Sequence, residues 1–409
     1  MTSRERVRKA IHFEKPDRVP IDLGATSATC INAEVYDRLK RRLGMDTPTK
    51  VHTARNMLAQ VDMEFIERFR IDTVAVDATV AGWSGQDARR GVARRLYGQR
   101  DLYYSPTANI KPDPAGGWLL CNKAGEPFAR MPSDGFYFDY LQPPMSGVRI
   151  DPAKHRPCPT VPDADLEAFA ARAKFLYETT DKALVGWGSG LSLVGLSAML
   201  TDNITQGSLD EWLCMLMTEK NAAHDMMNRS AEAALARTKL YYQAAGEYMD
   251  VWGVASDDAG TQRGGLMAPE LFREMIAPHY RKLCDWIHAN THWKTFLHSC
   301  GAIFDYIRDW HSAGIDIFNP VQISAANMDP RRLMREFGGK VIFWGGGCDT
   351  QSMLPKGTPE QIRLHVLENM RIFGEGAGGF VFSQVHNIQP NVPVDNIIAL
   401  LDAANEFAA

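Results

Sequence analysis

A histidine and a cysteine two positions apart, His298 and Cys300, are the residues with the clearest chemical potential in this sequence. They stand at the end of an apolar run, residues 294–298, which reads as a β-strand. Side chains two positions apart on an extended chain point the same way, so this imidazole and this thiol can approach one ion. Both groups are usual ligands of zinc. The spacing predicts part of a metal site, although so short a pattern also fits a structural role.

A catalytic zinc takes three protein ligands and leaves a fourth position open, so a third ligand must come from elsewhere. Cys348 follows the predicted strand 340–344, and His386 follows the predicted strand 379–383. Both residues stand just after strand ends, as Cys300 does. The sequence leaves open which of the two completes the site.

Further polar residues follow other predicted strands. Asp257 and Asp258 end the fourth strand, and neighbouring carboxylates on an extended chain point to opposite faces. One of them is therefore a candidate metal ligand, substrate anchor or proton-transfer group, with a helix cap or loop role as the alternative. Asn319 and Gln322 after the sixth strand, and Asp349 after the seventh, are candidates for binding a substrate.

The elements that must position these residues are eight apolar runs, each followed by helical periodicity. They cover residues 21–23, 72–76, 184–188, 250–254, 294–298, 316–319, 340–344 and 379–383. Strands that alternate with helices form a parallel sheet, and eight such units close most simply into a (β/α)8 TIM-type barrel. The active site of such a barrel lies at the C-terminal ends of its strands. An open doubly wound sheet is the alternative, but no Gly-x-Gly-x-x-Gly pattern follows the first strand.

Residues 80–160 interrupt the alternation. They are rich in Gly, Pro, Tyr and Trp, and residues 116–128 read as a hairpin with its turn at 122–125. We interpret this interval as an insertion on the second βα connection that folds over the barrel mouth as a lid. The whole chain, residues 1–409, is then a single barrel domain.

The composition excludes several classes of protein. A net charge of −4 without Lys/Arg runs argues against nucleic acid as a partner, and seven scattered cysteines argue against a disulfide framework. The longest apolar stretch, residues 184–200, is broken by glycines. The N-terminus lacks the pattern of a signal peptide. We therefore expect no membrane segment and a cytoplasmic location.

Several motifs together resemble the uroporphyrinogen decarboxylase superfamily. They are Arg4-Glu-Arg-Val with Pro16-Asp-Arg-Val-Pro20, His298-Ser-Cys300-Gly, Met328-Asp-Pro, Phe343-Trp-Gly-Gly-Gly-Cys-Asp-Thr-Gln351, Leu354-Pro-x-Gly-Thr-Pro359 and His386-Asn-Ile-Gln-Pro-Asn-Val-Pro393. The resemblance covers nearly the whole chain outside the insertion and implies the same barrel fold.

The resemblance also favours one of two chemistries. True uroporphyrinogen decarboxylases carry an arginine-rich segment after the first strand, whereas residues 21–29 of this chain contain no arginine. The other branch comprises zinc-dependent methyltransferases that use a corrinoid on a separate protein, and His298 and Cys300 match half of its zinc signature. The last cysteine of that signature follows the eighth strand in the coenzyme M enzymes, where this chain has His386, and Cys348 lies one strand earlier.

The resemblance therefore implies a zinc enzyme that moves a methyl group between a small substrate and the corrinoid of a partner protein. The substrate would be a methyl ether, in an O-demethylation, or a methylamine or thiol, with Asp257 or Asp258 orienting it. The alternatives are a cofactor-independent decarboxylase or lyase acting on a non-porphyrin acid, and a non-catalytic binding protein. The direction of transfer and the oligomeric state, a homo-oligomer included, stay open.

Overall fold

The computed structural model describes residues 1–77, 92–96, 101–141, 149–188, 190–194 and 208–407. Parts of the predicted insertion (80–91, 97–100 and 142–148) and residues 408–409 of the predicted single domain lie outside the described residues. The strands are β1 (Val51–Thr53), β2 (Leu58–Ala59), β3 (Thr73–Asp77), β4 (Val92–Arg94), β5 (Leu102–Tyr104), β6 (Asn109–Pro112), β7 (Trp118–Cys121), β8 (Pro127–Met131), β9 (Asp139–Tyr140), β10 (Ala183–Trp187), β11 (Val251–Ser256), β12 (Lys294–His298), β13 (Ile317–Asn319), β14 (Ile342–Trp344) and β15 (Phe380–Val381).

The helices alternate with the later strands. They are α1 (Ser3–Ile11), α2 (Ala33–Arg42), α3 (Met63–Arg68), α4 (Asp163–Thr179), α5 (Leu209–Thr218), α6 (Lys220–Ala245), α7 (Pro269–Leu271), α8 (Ala277–Asn290), α9 (Phe304–Ser312), α10 (Pro330–Phe337), α11 (Met353–Lys356), α12 (Pro359–Gly374) and α13 (Val394–Phe407). A π-helical turn, Phe272–Ile276, joins α7 to α8. Among the described helices, none combines the length and apolar character needed to cross a membrane.

The central sheet is parallel and curls into a barrel. Within the described residues its seven strands run in the order β3-β10-β11-β12-β13-β14-β15. The predicted first strand, residues 21–23, is reduced to a single bridge between Ile21 and Phe382, but it occupies the eighth position. Ile21 O also accepts a hydrogen bond from Asp72 N at 2.8 Å, just before β3. Ile21 therefore joins the two edges of the seven-stranded sheet. The (β/α)8 prediction is therefore confirmed.

Alternate residues of these strands fill the barrel interior. Val185, Val251, Ile317 and Val381 belong to one buried cluster, together with Phe296. The ring of Phe296 meets those of Trp187 and Trp344 edge to face, with centroids 5.9 and 5.6 Å apart. Val7 and Ile11 of α1 join the same cluster, so the N-terminal helix closes one end of the barrel. The candidate functional side chains lie at the other end of the barrel.

The insertion lies between β3 and β10, on the second βα connection as predicted. Its β6, β7, β8 and β9 form an antiparallel sheet, and the predicted hairpin turn is closed by Gly125 N donating to Asn122 O at 3.0 Å. The segment before β9 is bonded to the first βα connection. Asn32 Nδ2 donates to Phe136 O at 3.2 Å, and Phe138 N donates to Arg55 O at 2.8 Å.

The first βα connection is bonded in turn to the last one. Asn32 N donates to Ile388 O at 2.8 Å, and Ile388 N donates to Cys30 O at 3.0 Å. The insertion therefore stands at the end of the barrel where the strands finish. Whether it covers the mouth as a lid stays a prediction.

A buried carboxylate holds the closing residue in place. Asp72 is fully buried and accepts hydrogen bonds from Arg6 Nη1 at 2.7 Å and from Arg18 Nη1 and Nη2 at 2.7 and 2.8 Å. It also accepts the backbone N–H of Ile21 at 2.8 Å. Arg6 has a second, more exposed partner in Asp17. The cluster therefore links α1 and the closing segment to the start of β3.

We expect Asp72→Asn to lower the free energy of unfolding by about 3–5 kcal/mol, because buried Arg18 loses its charge partner and buried Arg6 keeps only the more exposed Asp17. Asp17→Asn is the matched control and should cost less than about 1 kcal/mol, since its side chain is 41% exposed. Urea denaturation followed by far-UV circular dichroism measures both values. Equal small losses in the two variants would show that the Asp72 cluster does not hold the barrel closed.

Candidate metal centre

The structure brings together three of the four predicted metal ligands. His298 is the last residue of β12, and Cys300 Sγ lies 3.3 Å from His298 Nε2. His386 comes from the connection after β15, and its ring centroid is 5.5 Å from that of His298. One ligand atom from each of the three residues lies within 4.8 Å of the other two. The last connection of the barrel therefore supplies the third donor.

Two asparagines orient the imidazole rings. His298 Nδ1 is 2.8 Å from Asn319 Oδ1, and Asn319 Nδ2 donates to Trp344 O at 2.9 Å. In the same way His386 Nδ1 donates to Asn387 Oδ1, while Asn387 Nδ2 donates to Ser27 O at 3.1 Å. Because each amide nitrogen faces a carbonyl, the amide oxygen must face the histidine and accept its proton. Each Nε2 then keeps a lone pair for a metal.

The donor set fits zinc. Bonds of about 2.0–2.3 Å to nitrogen and sulfur place neighbouring ligands of a tetrahedral zinc about 3.5 Å apart. The thiol of Cys300 and Nε2 of His298, which are 3.3 Å apart, already have this spacing. The ligand atoms of all three residues lie within 4.8 Å of one another, so only a small contraction would bring them to the distances of a zinc site. Three protein donors leave the fourth position for a substrate or water. The residues present therefore suit a catalytic zinc better than a closed structural one.

Burial favours the uncharged forms of two candidate ligands, Cys300 and His386. It raises the pKa of the Cys300 thiol well above the ordinary value, and the Asp258 carboxylate raises it further. Burial, with a contribution from the neighbouring His298, lowers the pKa of His386 to about 4. A neutral imidazole is ready to bind a metal, whereas the thiol must lose its proton on binding.

The adjacent carboxylates point to different surroundings, as their alternation predicts. Asp258 Oδ1 accepts the backbone N–H of Cys300 at 2.7 Å and lies 3.7 Å from His298 Nε2. Asp257 is fully buried instead, and it accepts the backbone N–H groups of Leu193 and Val194, both at 2.8 Å. The hydroxyl of Tyr280 also donates to it. Asp258 thus faces the metal centre, and Asp257 fixes a neighbouring loop.

Gln322 positions the loop that carries Cys300. Its Oε1 accepts the backbone N–H of Gly301 at 2.8 Å, and its Nε2 donates to Gln262 Oε1 at 2.8 Å. Gly301 has φ +86°, and a Cβ there would come within 2.4 Å of the Gly260 backbone. Only glycine fits this turn without strain. Gln322 and Asn319 therefore touch the metal ligands or their loop, although both were predicted as substrate-binding residues.

Cys348 and Asp349 lie apart from the group of three. Cys348 is fully buried, its Sγ lies 3.7 Å from Asp349 O, and burial raises the pKa of its thiol. The Asp349 carboxylate accepts the backbone N–H groups of Ser352 and Met353, both at 3.0 Å, at the start of α11. Burial alone would raise the pKa of Asp349, but these bonds and the Ser352 hydroxyl hold it below its usual value. The structure thus gives Asp349 a capping role.

Asn387 is a functional residue that sequence reasoning missed. It follows His386 directly, and a side-chain amide beside a candidate ligand is the signal that could have found it. Tyr280 was missed as well. It belongs to α8, far along the chain from Asp257, and no spacing rule connects the two.

Comparison with known proteins gives a family and a fold. A family model described as Uroporphyrinogen decarboxylase (URO-D) matches residues 152–407. Curated uroporphyrinogen decarboxylases from the Dugway, Henzerling II and Nine Mile phase I strains of Coxiella burnetii are each 19% identical over 317 residues, which is 71% of this chain and 82% of theirs. A solved methyltransferase from Methanosarcina mazei matches with TM-score 0.60 and 17% identity, covering 100% of both chains. At this identity the likeness to the solved structure shows the fold.

The geometry predicts which variants lose a bound metal. We expect Cys300→Ala and His386→Ala to abolish zinc binding, because each removes one of three converging donors, and Cys348→Ala to retain it. Elemental analysis of anaerobically purified protein, loaded with one equivalent of zinc and desalted, measures the content per chain. Loss of zinc from Cys348→Ala with retention in His386→Ala would reverse the assignment.

A second prediction concerns Asn319. Asn319→Ala should weaken zinc binding about 10- to 100-fold, because the His298 ring loses the acceptor that fixes its orientation. Competition against a chromophoric chelator measures the affinity. Asn396→Ala is the matched control: this buried asparagine bonds Leu354 O at 2.9 Å, at the start of α13. Equal weakening in both variants would mean that the effect is general destabilisation.

Proposed function

The chain belongs to the uroporphyrinogen decarboxylase family, and on that basis we propose that it is a zinc-dependent, corrinoid-linked methyltransferase. It would move a methyl group between a small substrate, such as a methyl ether, methylamine or thiol, and the corrinoid of a partner protein. One observation carries the proposal: a thiol and two imidazoles place their ligand atoms within 4.8 Å of one another at strand ends of the barrel.

The chain's own residues would hold and orient the reacting groups. His298, Cys300 and His386 would bind the zinc and leave its fourth position to the substrate atom. When bound, zinc supplies Lewis acidity, which stabilises negative charge on the atom that gains or loses the methyl group. Asn319 and Asn387 keep both imidazoles turned so that Nε2 faces the site. Little rearrangement is then needed when substrate arrives.

Asp258 is the carboxylate that we assign to the substrate. Its side chain is 31% exposed, and Oδ1 lies 3.7 Å from His298 Nε2. A carboxylate in this position can accept the proton of a thiol or a hydrogen bond from an amine. Asp257 is fully buried and bonded to two backbone amides, so we assign it no role in the reaction.

The corrinoid supplies the methyl carrier, and we assign it to a partner protein. The pattern Asp-x-His-x-x-Gly, which is typical of corrinoid binding, occurs in this chain at residues 309–314, at the end of α9. There Asp309 accepts a hydrogen bond from Arg273 Nε at 2.9 Å, and His311 Nδ1 lies 3.1 Å from Ile315 O. The intervening Trp310 is fully buried. These residues serve helix packing, so we do not assign the corrinoid to them.

Decarboxylation of a non-porphyrin acid is the second candidate, favoured by the similarity to curated uroporphyrinogen decarboxylases. A porphyrinogen itself is a poor candidate because residues 21–29 offer no arginine to its carboxylates. A decarboxylase of this kind would not need the three metal donors. Activity with and without zinc therefore separates the two functions.

The test is methyl transfer to a corrinoid, followed by the absorbance change of free cob(I)alamin and of a purified corrinoid protein. Methyl ethers, methylamines and methyl thioethers are the donors. We expect transfer by the zinc-loaded protein with at least one class of donor. In Asp258→Asn, which keeps the shape but not the charge of the side chain, we expect the rate to fall by a factor of about 100 or more. Asp305→Asn, an exposed change at the start of α9, is the control.

Transfer that fails with every donor class would contradict the proposal. Release of carbon dioxide from a small acid by the zinc-free protein would support the decarboxylase instead. Equal rates in Asp258→Asn and Asp305→Asn would remove Asp258 from the reaction while leaving the metal assignment intact.

A further inference from the structure

A cavity of about 200 Å³ lies beside the first two βα connections. It is bounded by the loop after Ile21, by the β1–β2 hairpin, by β3 and by α4. None of the three candidate metal ligands lines it. The polar side chains in its wall that matter here are Arg172, Lys50, Gln60 and Asp62.

Arg172 has no partner in the described part of the chain. It lies on α4 and is half-buried, and it makes neither a hydrogen bond nor an ion pair with the described residues; its Nε is fully buried and unpartnered. Burial lowers the pKa of its guanidinium, and no carboxylate of the described residues opposes that effect. The buried arginines Arg6 and Arg18 differ, since both bind Asp72. A buried cation without a counter-ion is costly, and proteins rarely leave one so.

Among the described residues that line this cavity, positive charges outnumber negative charges. Burial lowers the pKa of Lys50, and the charges of Arg172 and Lys40 lower it further, while Asp62 opposes them. Asp62 already has a cation of its own, because Lys40 Nζ donates to it at 2.6 Å and Tyr36 donates at 3.3 Å. The described wall therefore holds two cations, Arg172 and Lys50, and one carboxylate that is already bound to Lys40. An anion that enters the cavity would balance the charge of Arg172.

The wall also offers a neutral polar group. The side-chain oxygen of Gln60 is buried without a partner. Oxygen and nitrogen of an amide can exchange places by a half-turn, so Gln60 can present N–H donors to an anion instead. The volume is below the range of about 300–1,000 Å³ typical of pockets for larger ligands, which limits the occupant to a compact group.

We propose that this cavity binds a compact oxyanion, a carboxylate or phosphate group, held by Arg172 and Lys50. The planar guanidinium of Arg172 suits two oxygens at once, and Lys50 adds a point charge. The same loop connects the cavity to the metal centre, since Ser27 lines it and Ser27 O accepts the amide N–H of Asn387, the partner of His386. The anion site does not depend on the methyl-transfer proposal.

Calorimetric titration of the metal-free, full-length protein with inorganic phosphate, and separately with acetate, tests the site. We expect saturable binding of one anion per chain, weakened at least tenfold by Arg172→Gln and by Lys50→Gln. The anion that binds more tightly identifies the chemical class. Lys174→Gln is the matched control, because Lys174 lies on the same helix, is exposed and pairs only weakly with Glu178 at 3.9 Å. It should bind the anion as wild type does.

Thermal melting separates binding from a structural role. In buffer without oxyanions Arg172→Gln should melt at the wild-type temperature or above, because it removes an unpartnered buried charge. Added phosphate or acetate should raise the melting temperature of wild type and Lys174→Gln but not that of Arg172→Gln. Absence of saturable binding by wild type, or binding that neither Arg172→Gln nor Lys50→Gln weakens, would overturn the proposal. Because no zinc or corrinoid is present, these results are independent of the methyl-transfer test.

Discussion

Closure of the barrel at Ile21 is the constraint on which the rest of the structure depends. The first and last segments meet through Asp22 N donating to Phe382 O and Phe382 N donating to Pro20 O, both at 2.8 Å. His386 leaves the barrel four residues after Phe382, so its position depends on the ladder β12-β13-β14-β15 on one side and on this closure on the other. Without the closure, the segment that carries His386 would be held by neighbouring strands on one side only. The metal centre is thus a product of the whole ring of strands.

Much of this arrangement could be predicted from sequence, because it follows from alternation along extended chain. The pairing of His298 with Cys300 and the opposed directions of Asp257 and Asp258 are of this kind. The third ligand was not predictable, since Cys348 and His386 follow strands equally well. Whether Cys348 lies near His298 and Cys300 depends on the glycine run before it, where Gly345 and Gly346 have φ +117° and +79°. This turn, which the pattern of residue types does not specify, puts Cys348 in the core.

Strand lengths were overestimated for a related reason. An apolar run shows which residues are buried, whereas the hydrogen bonds between neighbouring strands determine how many of those residues count as strand. The predicted strand 340–344 is observed as Ile342–Trp344, and residues 21–23 contribute a single bridge. At that point side-chain chemistry replaces pairing, since the Asp72 carboxylate takes the Ile21 N–H that a longer strand would satisfy. A side chain that takes the place of a neighbouring strand in this way leaves no periodic pattern in the sequence.

The attachment of the insertion has an evolutionary consequence. Its bond to Arg55 O and the bonds between the first and last connections use main-chain atoms on both sides, and the bond from Asn32 uses a main-chain acceptor at Phe136. Mutations at exposed positions of the insertion can therefore accumulate without breaking these bonds, because peptide groups are the same for nearly every residue type. Exposed positions of the insertion can change while the main-chain bonds that attach it, and the strand ends that carry the candidate metal ligands, stay the same.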